Sequence, residues 1–161
     1  MKSIRRDLEK DFQNWIVKRK LLKFKSRSSI RIIAHEVRLF KPMYILSRGN
    51  PLENNYLPDT LGRIDLLFRY KQRNYAGEIK YMPFAVENFW HALKCVAYAS
   101  YLNWQRSHSG NKRYFPSILM PSKAIKLEHR ILAGRLHILL LGINKTDTGW
   151  EIEDFTNKVG F

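Results

Sequence analysis

Two short segments with alternating apolar residues constrain the fold of this chain more than any other feature. They run from Gly62 to Phe68 and from Tyr75 to Tyr81, and the polar run 71–74 separates them. Alternation with a period of two predicts a β-strand in each segment. A polar connection this short predicts that the two strands form a hairpin.

Three charged side chains of this hairpin are expected on one face. With a turn centred on Gln72 and Arg73, Asp65 lies opposite Lys80, and Glu78 is the diagonal neighbour of Asp65. Because side chains alternate between the faces of a strand, two carboxylates and one ammonium then converge within roughly 5–8 Å. A shift of the turn by one residue is expected to break this arrangement.

This grouping of charges predicts a metal site. Two neighbouring carboxylates repel unless a cation lies between them. Oxygen ligands favour Mg²⁺ or Mn²⁺ over zinc, and a lysine beside such a metal can position or activate a water at a phosphate. The alternative is a surface hairpin with an ordinary pair of Asp65 and Lys80. The apolar neighbours Ile79 and Tyr81 favour the site, because part-buried charges are typical of functional positions.

The spacing Gly62-x-x-Asp65, then a turn, then Glu78-x-Lys80 resembles the core motif of the PD-(D/E)xK nuclease superfamily. Archaeal Holliday junction resolvases and RecB-like nuclease domains are the branches it resembles most. The motif covers residues 62–81, and the flanking helices agree only by pattern. The sequence departs from the superfamily name at one place, where Ile stands before the aspartate instead of Pro.

The resemblance implies a role for each residue of the motif. Asp65 and Glu78 are expected to hold Mg²⁺ or Mn²⁺, with the backbone carbonyl of Ile79 as a further ligand. Lys80 is expected to contact the attacked phosphate or the attacking water. In related folds a further acid comes from the preceding helix or the preceding strand, and the two alternative candidates are Glu9 and Glu36.

The segment 84–104 gives the clearest helical pattern, with an apolar stripe of three- and four-residue steps. RecB-like domains carry Gln-x-x-x-Tyr at this place, which orients the active-site lysine and contacts phosphate. Here the residues are Lys94 and Tyr98, so the resemblance implies phosphate contact and leaves the orienting role open. The alternative is that both residues belong to the flank of a core helix.

The charge of the chain predicts a polyanionic partner. Its 161 residues carry a net charge of +15, and residues 1–31 hold eleven Lys and Arg against three acids. Nucleic acid and an anionic membrane surface are both compatible with this balance, and the neighbouring acid cluster favours DNA. The residues expected to contact DNA, besides Lys94 and Tyr98, are Lys18, Lys20, Lys23, Arg48, Lys112 and Arg113.

The remaining composition narrows the class of protein. A single cysteine excludes a disulfide, a cysteine-based zinc site and an iron–sulfur cluster within the chain. The sequence lacks a signal-peptide pattern and any run of about 18 apolar residues. We therefore expect no membrane partner and a cytoplasmic location, including the cytoplasm of a cell that hosts a virus or plasmid encoding this chain.

The hydrophobic patterns predict one α/β domain over residues 1–161, with a mixed central sheet flanked by helices. The resemblance implies a restriction-endonuclease-like α-β-β-β-α-β core. The predicted helices are 3–23, 84–104 and 123–133. The predicted strands outside the hairpin are 33–46, 115–120, 136–143 and 150–155, and 47–61 is expected to form a long loop.

Taken together, the sequence predicts a Mg²⁺-dependent deoxyribonuclease that acts on branched DNA, ends or single strands in replication, recombination or repair. A junction resolvase would need a homodimer, so that two sites cut symmetric strands. One alternative is a non-catalytic nucleic-acid-binding protein that keeps the nuclease fold. A second alternative is a basic structural protein that binds an anionic surface.

Overall fold

A computed structural model describes residues 2–19, 21–23, 29–40, 60–80, 89–107 and 112–156. Within these residues the chain forms three α-helices and seven strands. The helices are α1 (Lys2–Arg19), α2 (Phe89–Gln105) and α3 (Leu127–Arg135). The strands are β1 (Leu21–Lys23), β2 (Ser29–Phe40), β3 (Thr60–Tyr70), β4 (Arg73–Ile79), β5 (Tyr114–Pro121), β6 (Leu139–Thr146) and β7 (Gly149–Asp154).

The seven strands form one sheet in chain order, from β1 at one edge to β7 at the other. The first four strands are antiparallel to one another, in the pairs β1–β2, β2–β3 and β3–β4. The pairs β4–β5 and β5–β6 are parallel, and β7 returns antiparallel to β6. Parallel neighbours require a crossover, and α2 and α3 lie in the two crossover connections. The predicted α/β class with a mixed sheet is therefore confirmed.

Helices cover both faces of the sheet. Phe12 and Ile16 of α1 pack into an apolar cluster with side chains of β2 through β7. On the opposite face, Ala92 and Cys95 of α2 pack with α3, β5 and β6. The C-terminal half of α2 covers β2, β3 and β4 through a third cluster, which contains Leu102. The candidate site lies between these layers, at one end of the central strands β3 and β4.

Polar contacts fix α2 across the sheet. The side chain of Asn103 donates to the Tyr114 carbonyl at 2.8 Å and accepts from the Tyr114 amide at 2.7 Å. The Tyr101 hydroxyl donates to the Phe40 carbonyl, and the Gln105 side chain accepts from the Phe40 amide at 3.0 Å. These bonds connect one helix to β2 and β5, and so hold the first turns of α2 at a defined place beside β4.

The predicted hairpin forms, but its turn differs by one residue. Tyr70 pairs with Arg73, so the turn is centred on Lys71 and Gln72 instead of Gln72 and Arg73. Both turn residues have positive φ, 45° and 65°, as a two-residue type I′ turn requires. Moving the centre of the turn by one residue shifts the pairing of the two strands by two residues. Each side chain therefore stays on the same face of the sheet. The expectation that such a shift would break the charge cluster was therefore wrong.

Several element boundaries also differ from the predictions. The first helix ends at Arg19 and not at residue 23, because Leu21 and Lys23 pair with β2 as a short strand. Strand β2 begins at Ser29 and not at residue 33, and the predicted continuation to 46 lies outside the described residues, as do 47–59 of the predicted loop. Strand pairing supplies backbone hydrogen bonds that helical periodicity does not reveal.

Asp154, at the end of β7, contacts the β3–β4 hairpin. It accepts a hydrogen bond from the Tyr70 hydroxyl at 2.9 Å, and the Lys71 ammonium lies 3.7 Å from the same carboxylate. Its side chain is 16% exposed. The acid therefore ties the end of β7 to the β3–β4 hairpin, which the alternation of β7 alone does not indicate.

Candidate active site

The candidate site lies where β3 and β4 separate. Their pairing runs from the turn to Leu66 and Gly77 and ends there. Beyond this point the Asp65 carboxylate accepts a hydrogen bond from the Ile79 amide at 2.8 Å. A side chain thus takes the place of the next backbone acceptor in the ladder. This arrangement fixes Asp65 beside the end of β4, where Glu78 and Lys80 flank Ile79.

Asp65 also lies at a change of phase in β3. Ile64 packs under α2, whereas Leu66 packs under α1, although strict alternation would place both on the same face. Opposite, the pairing with β2 passes from Val37 to His35 and skips Glu36, which has a φ of 49°. In this register Glu36 and Asp65 lie opposite each other, so the positive φ of Glu36 and the change of phase in β3 occur at the same level of the sheet.

Glu78 is the most deeply buried charged group of the site. Its side chain is 7% exposed, and its Oε1 lies 2.9 Å from the Lys80 ammonium and 3.2 Å from the Lys94 ammonium. An isolated buried carboxylate would be strongly unfavourable, and two cations offset that cost. Lys94 reaches Glu78 from α2, so the site joins residues of β4 with a residue of the crossover helix.

The pKa of Asp65 reflects its burial and the charged groups around it. Burial, and after it the charge of Glu78, raise the pKa of Asp65 from 3.8 to about 6. The Ile79 hydrogen bond and the Lys80 charge lower it, but they do not compensate, and the charge of Glu9 adds a smaller increase. A cation bound between the two carboxylates would therefore favour the charged form of Asp65 near neutral pH.

The Lys80 ammonium responds in the opposite direction. Burial lowers its pKa, but the charges of Glu78, Asp65 and Glu9 outweigh burial and raise the pKa above its ordinary value. A lysine in these surroundings stays protonated at neutral pH. It can donate hydrogen bonds and positive charge to an anion, and it cannot serve as a general base there.

The structure brings together the three residues that the hairpin predicted: Asp65, Glu78 and Lys80. Their pairing differs from the prediction, because the ladder ends at Leu66 and Gly77, in a register two residues away from the one that would pair Asp65 with Lys80. The backbone of Ile79 lies between the two β4 side chains, and its amide is already bonded to Asp65. The metal-binding role of its carbonyl stays a prediction.

The two candidates for a third acid lie on different sides of this cluster. Glu9 of α1 is close enough for its charge to raise the pKa of Asp65 and Lys80. The Glu36 carboxylate is 61% exposed and lies 3.6 Å from Arg63. Within the described part of the chain, no three His, Cys, Asp or Glu side chains form a metal-ligand group. Neither acid completes a three-carboxylate site in this arrangement.

A cleft of about 230 Å³ opens beside Asp65, between α1 and the irregular stretch of β2 and β3. Its walls combine apolar and polar groups, and two of its charged residues were predicted to act at the site. The lining residues are Gln13, Asn14, Ile16, Val17, Lys18, His35, Glu36, Asp65, Leu66 and Ile79. A ligand in this cleft would contact the Asp65 carboxylate and the basic end of α1.

The pair Lys94 and Tyr98 forms a connected group. The Lys94 ammonium lies 5.0 Å from the centre of the Tyr98 ring and bonds Glu78. The Tyr98 hydroxyl lies against Gly62, where an added Cβ would come within 2.2 Å of it. The bond from Lys94 to Glu78 was not predicted. The only available signal was that helix α2 follows directly after the strand that carries Glu78.

The predicted DNA contacts do not form one surface. Lys18 is exposed and lines the cleft beside Asp65. Lys112 and Arg113 are also exposed, but they precede β5 and therefore lie at the opposite end of the parallel strands β4 and β5 from Glu78. DNA contact by these two residues stays a prediction, at a place separate from the acids. Lys20 and Arg48 lie outside the described residues, and for Lys23 only the backbone, in β1, is described.

No family model matches the chain, and comparisons with curated proteins and with solved structures find no significant similarity. Among the described helices, none has the length and apolar character needed to cross a membrane.

Proposed function

We propose that this protein is a divalent-metal-dependent nuclease of the PD-(D/E)xK type that hydrolyses DNA. One observation carries the proposal. The Asp65 and Glu78 carboxylates are held close together at the fork between β3 and β4, where burial and mutual repulsion raise the pKa of Asp65 to about 6. A protein keeps such a pair when a bound cation or a reaction requires it.

The element order supports the same assignment. After α1 and the short strand β1 come three antiparallel strands, a crossover helix and a parallel strand, which are β2, β3, β4, α2 and β5. Apart from β1, the order agrees with the α-β-β-β-α-β core that the motif resemblance implies. Asp65 lies in β3 and Glu78 in β4, and Lys80 directly follows β4.

The donor set fits Mg²⁺ or Mn²⁺. Mg²⁺ keeps several water ligands and is commonly bound through one or two carboxylates, so Asp65 and Glu78 with a backbone carbonyl are sufficient. When bound, the ion would polarise a phosphate oxygen and lower the pKa of an attacking water. Asp65 and Glu78 would hold it. Since Lys80 stays protonated, it would donate to the phosphate or to the attacking water.

Lys94 distinguishes this site from a simple carboxylate pair. Its ammonium bonds the Glu78 oxygen that also contacts Lys80. A cation that binds Glu78 would weaken both contacts and free an ammonium within reach of the substrate phosphate. We therefore assign phosphate binding to Lys94 and Lys80 together, and approach of the DNA backbone to Lys18 at the cleft.

A second candidate function is a non-catalytic DNA-binding protein with the same fold. It is favoured by the two lysines that already neutralise Glu78, and by the lack of a three-acid ligand group in the described residues. This candidate predicts salt-dependent DNA binding without cleavage. A homodimer is needed only if the substrate is a junction, and sedimentation with and without junction DNA would test that.

The deciding experiment combines cleavage with a metal-binding readout. Plasmid, linear, single-stranded and four-way-junction DNA are incubated with the protein in Mg²⁺, Mn²⁺ or EDTA. We expect cleavage only with metal, and a loss of about 100-fold or more in Asp65→Asn and in Lys80→Met. The exposed turn residue Asp147, changed to Asn, is the matched control and should retain full activity.

The metal is tested separately by thermal unfolding. Mg²⁺ or Mn²⁺ should raise the unfolding temperature of the wild type and of Asp147→Asn, but not that of Asp65→Asn. Cleavage that survives both Asp65→Asn and Lys80→Met would overturn the proposed site. Metal-independent DNA binding without cleavage of any substrate would favour the non-catalytic candidate.

A further inference from the structure

A second basic surface lies at the opposite end of the central strands from the candidate active site. We call it the hairpin-end patch and define it as Arg73, Tyr75, Lys112, Arg113 and Phe115. Arg73 begins β4, and Lys112 and Arg113 directly precede β5. Because β4 and β5 are parallel, with Tyr75 paired to Phe115, their first residues lie side by side.

An aromatic ring organises the charges of this patch. The guanidinium carbons of Arg73 and Arg113 lie 5.4 and 5.3 Å from the centre of the Phe115 ring. Tyr75 packs against the same ring at 6.2 Å and stacks on Phe68 at 5.5 Å. A guanidinium held against a ring is oriented in advance, while its N–H groups remain available to oxygen acceptors.

The charge of the patch is not balanced by acids of the described chain. Arg73, Lys112 and Arg113 are exposed, and none forms an ion pair with a described acid. Asp154, which lines a cavity together with Arg73 and Tyr75, accepts a hydrogen bond from Tyr70 and pairs with Lys71. Three unneutralised cations on a rigid aromatic base make a site for an anion with several acceptor oxygens.

We propose that the hairpin-end patch is a second binding surface for the phosphate backbone of a nucleic acid, separate from the site of hydrolysis. This proposal depends on the proposed function in one respect only, which is that the ligand is a nucleic acid. Arg73 begins β4 and Glu78 lies five residues further along the same strand, so the two are about 17 Å apart. A strand segment of about five nucleotides, at about 3.4 Å each, spans that distance along a straight path.

Nucleic acid fits the patch better than an anionic membrane. The patch and the candidate site lie at opposite ends of the central strands. A flexible nucleic acid chain can contact both, whereas a flat bilayer cannot. The aromatic rings of the patch lie beneath guanidinium groups, so no apolar side chain projects as a membrane anchor. The surface therefore offers phosphate contacts without an insertion element.

The test measures binding in the Asp65→Asn background with EDTA, so that cleavage does not contribute. The ligands are fluorescent single strands of about 3 and about 30 nucleotides, and anisotropy is recorded over a series of salt concentrations. With the longer strand, Arg73→Ala/Arg113→Ala should bind about tenfold more weakly, and the slope of log K against log salt should fall by about 1.4. A strand of about 3 nucleotides is too short to reach from the patch to Glu78.

Two further variants distinguish the effect of the arginine charges from the effect of the ring that positions them. Phe115→Leu keeps both arginines but removes the ring, and we expect about a threefold loss of affinity with little change in the salt slope. Arg135→Ala removes one exposed charge at the end of α3 and should bind like the parent. Circular dichroism and thermal unfolding confirm that each variant is folded before binding is compared.

The outcomes are distinct from those of the cleavage experiment. If Arg73→Ala/Arg113→Ala binds the longer strand as tightly as Arg135→Ala does, the patch proposal is overturned. It is also overturned if the same substitution abolishes binding to phosphatidylserine vesicles but leaves oligonucleotide binding unchanged. A wild-type protein that cuts no DNA would refute the proposed hydrolysis, and the binding series would still test the patch.

Discussion

At the residue scale, Asp65 combines a structural role with a chemical one. Its carboxylate replaces a backbone acceptor at the end of the β3–β4 ladder, by accepting from the Ile79 amide. The same carboxylate is held near Glu78, which together with burial raises its pKa to about 6. A group that is unfavourable in its charged form, yet fixed by a hydrogen bond, is typical of a site where function outweighs stability.

Asp65→Asn should therefore stabilise the metal-free protein. An acid with a raised pKa binds more protons in the folded state than in the unfolded state between its two pKa values. Stability is thus highest below the ordinary value of 3.8 and is lost as pH rises through about 6. The difference sets an upper bound of roughly 3 kcal/mol. We expect a measured gain of about 1–2 kcal/mol at neutral pH from urea unfolding in EDTA.

The control for this prediction is Asp147→Asn, which changes an exposed turn carboxylate in the same way. Between about pH 4 and pH 6, wild type and control should lose stability with rising pH, whereas Asp65→Asn should show a flatter profile. Parallel profiles for all three proteins would contradict the assignment of a raised pKa to Asp65.

At the scale of elements, the contact between β3 and α2 depends on Gly62. An alanine Cβ there would lie 2.2 Å from the Tyr98 hydroxyl oxygen and 2.7 Å from the ring carbon that carries it. Either the ring or the strand must move. Gly62→Ala should destabilise the protein by about 1–3 kcal/mol. It should also lower activity, since Tyr98 contacts Lys94.

Gly134 provides the matched control for Gly62, because it is an exposed helix residue with open space around it. Gly134→Ala should stabilise the protein by about 0.5–1 kcal/mol through the lower entropy of its unfolded chain. The double variant Gly62→Ala/Tyr98→Leu should recover stability but not activity. If Gly62→Ala unfolds at the same urea concentration as wild type, the close approach is not rigid.

The single cysteine reports on the packing of α2. Cys95 is 4% exposed within the α2–β5–β6 cluster, and burial raises its thiol pKa. We expect no reaction with a thiol reagent in native conditions at about pH 8. Reaction should follow the urea unfolding curve, and Cys95→Ser supplies the background signal. Rapid labelling without urea would show that α2 opens independently of the sheet.

At the scale of the whole molecule, the net charge of +15 sets the behaviour of the free protein. Two arginine pairs lie directly opposite each other in β2 and β3, Arg31 with Arg69 and Arg38 with Arg63. Like charges in this position are destabilising. The folded protein therefore contains charge repulsion between these arginines, which a bound polyanion or added salt would reduce.

Raising NaCl from low to high concentration should increase the unfolding temperature of the free protein by a few degrees. Arg69→Gln removes one cross-strand repulsion and should reduce this salt effect. Arg135→Gln removes the same charge from a position outside the pairs and should reduce it less. The measurement is differential scanning fluorimetry over a salt series. An equal effect of the two substitutions would show that only total charge matters, and not cross-strand pairing.

Much of this molecule follows from local sequence alone. The alternation in 62–68 and 75–81 identified the hairpin, and the helical stripe in 84–104 identified α2. The acids and the lysine were located because their positions relative to an apolar strand are visible in the sequence. Local periodicity determines these features, because side-chain direction repeats with the geometry of each element.

Tertiary structure decided the rest. The turn at Lys71 and Gln72, the change of phase at Asp65, and the bond from Lys94 to Glu78 depend on residues far apart in the chain. So does the position of the basic block at Arg113, because the parallel pairing of β4 and β5 places it away from the acids. Register and layer contacts are chosen by the packing of the whole sheet, which no single segment encodes.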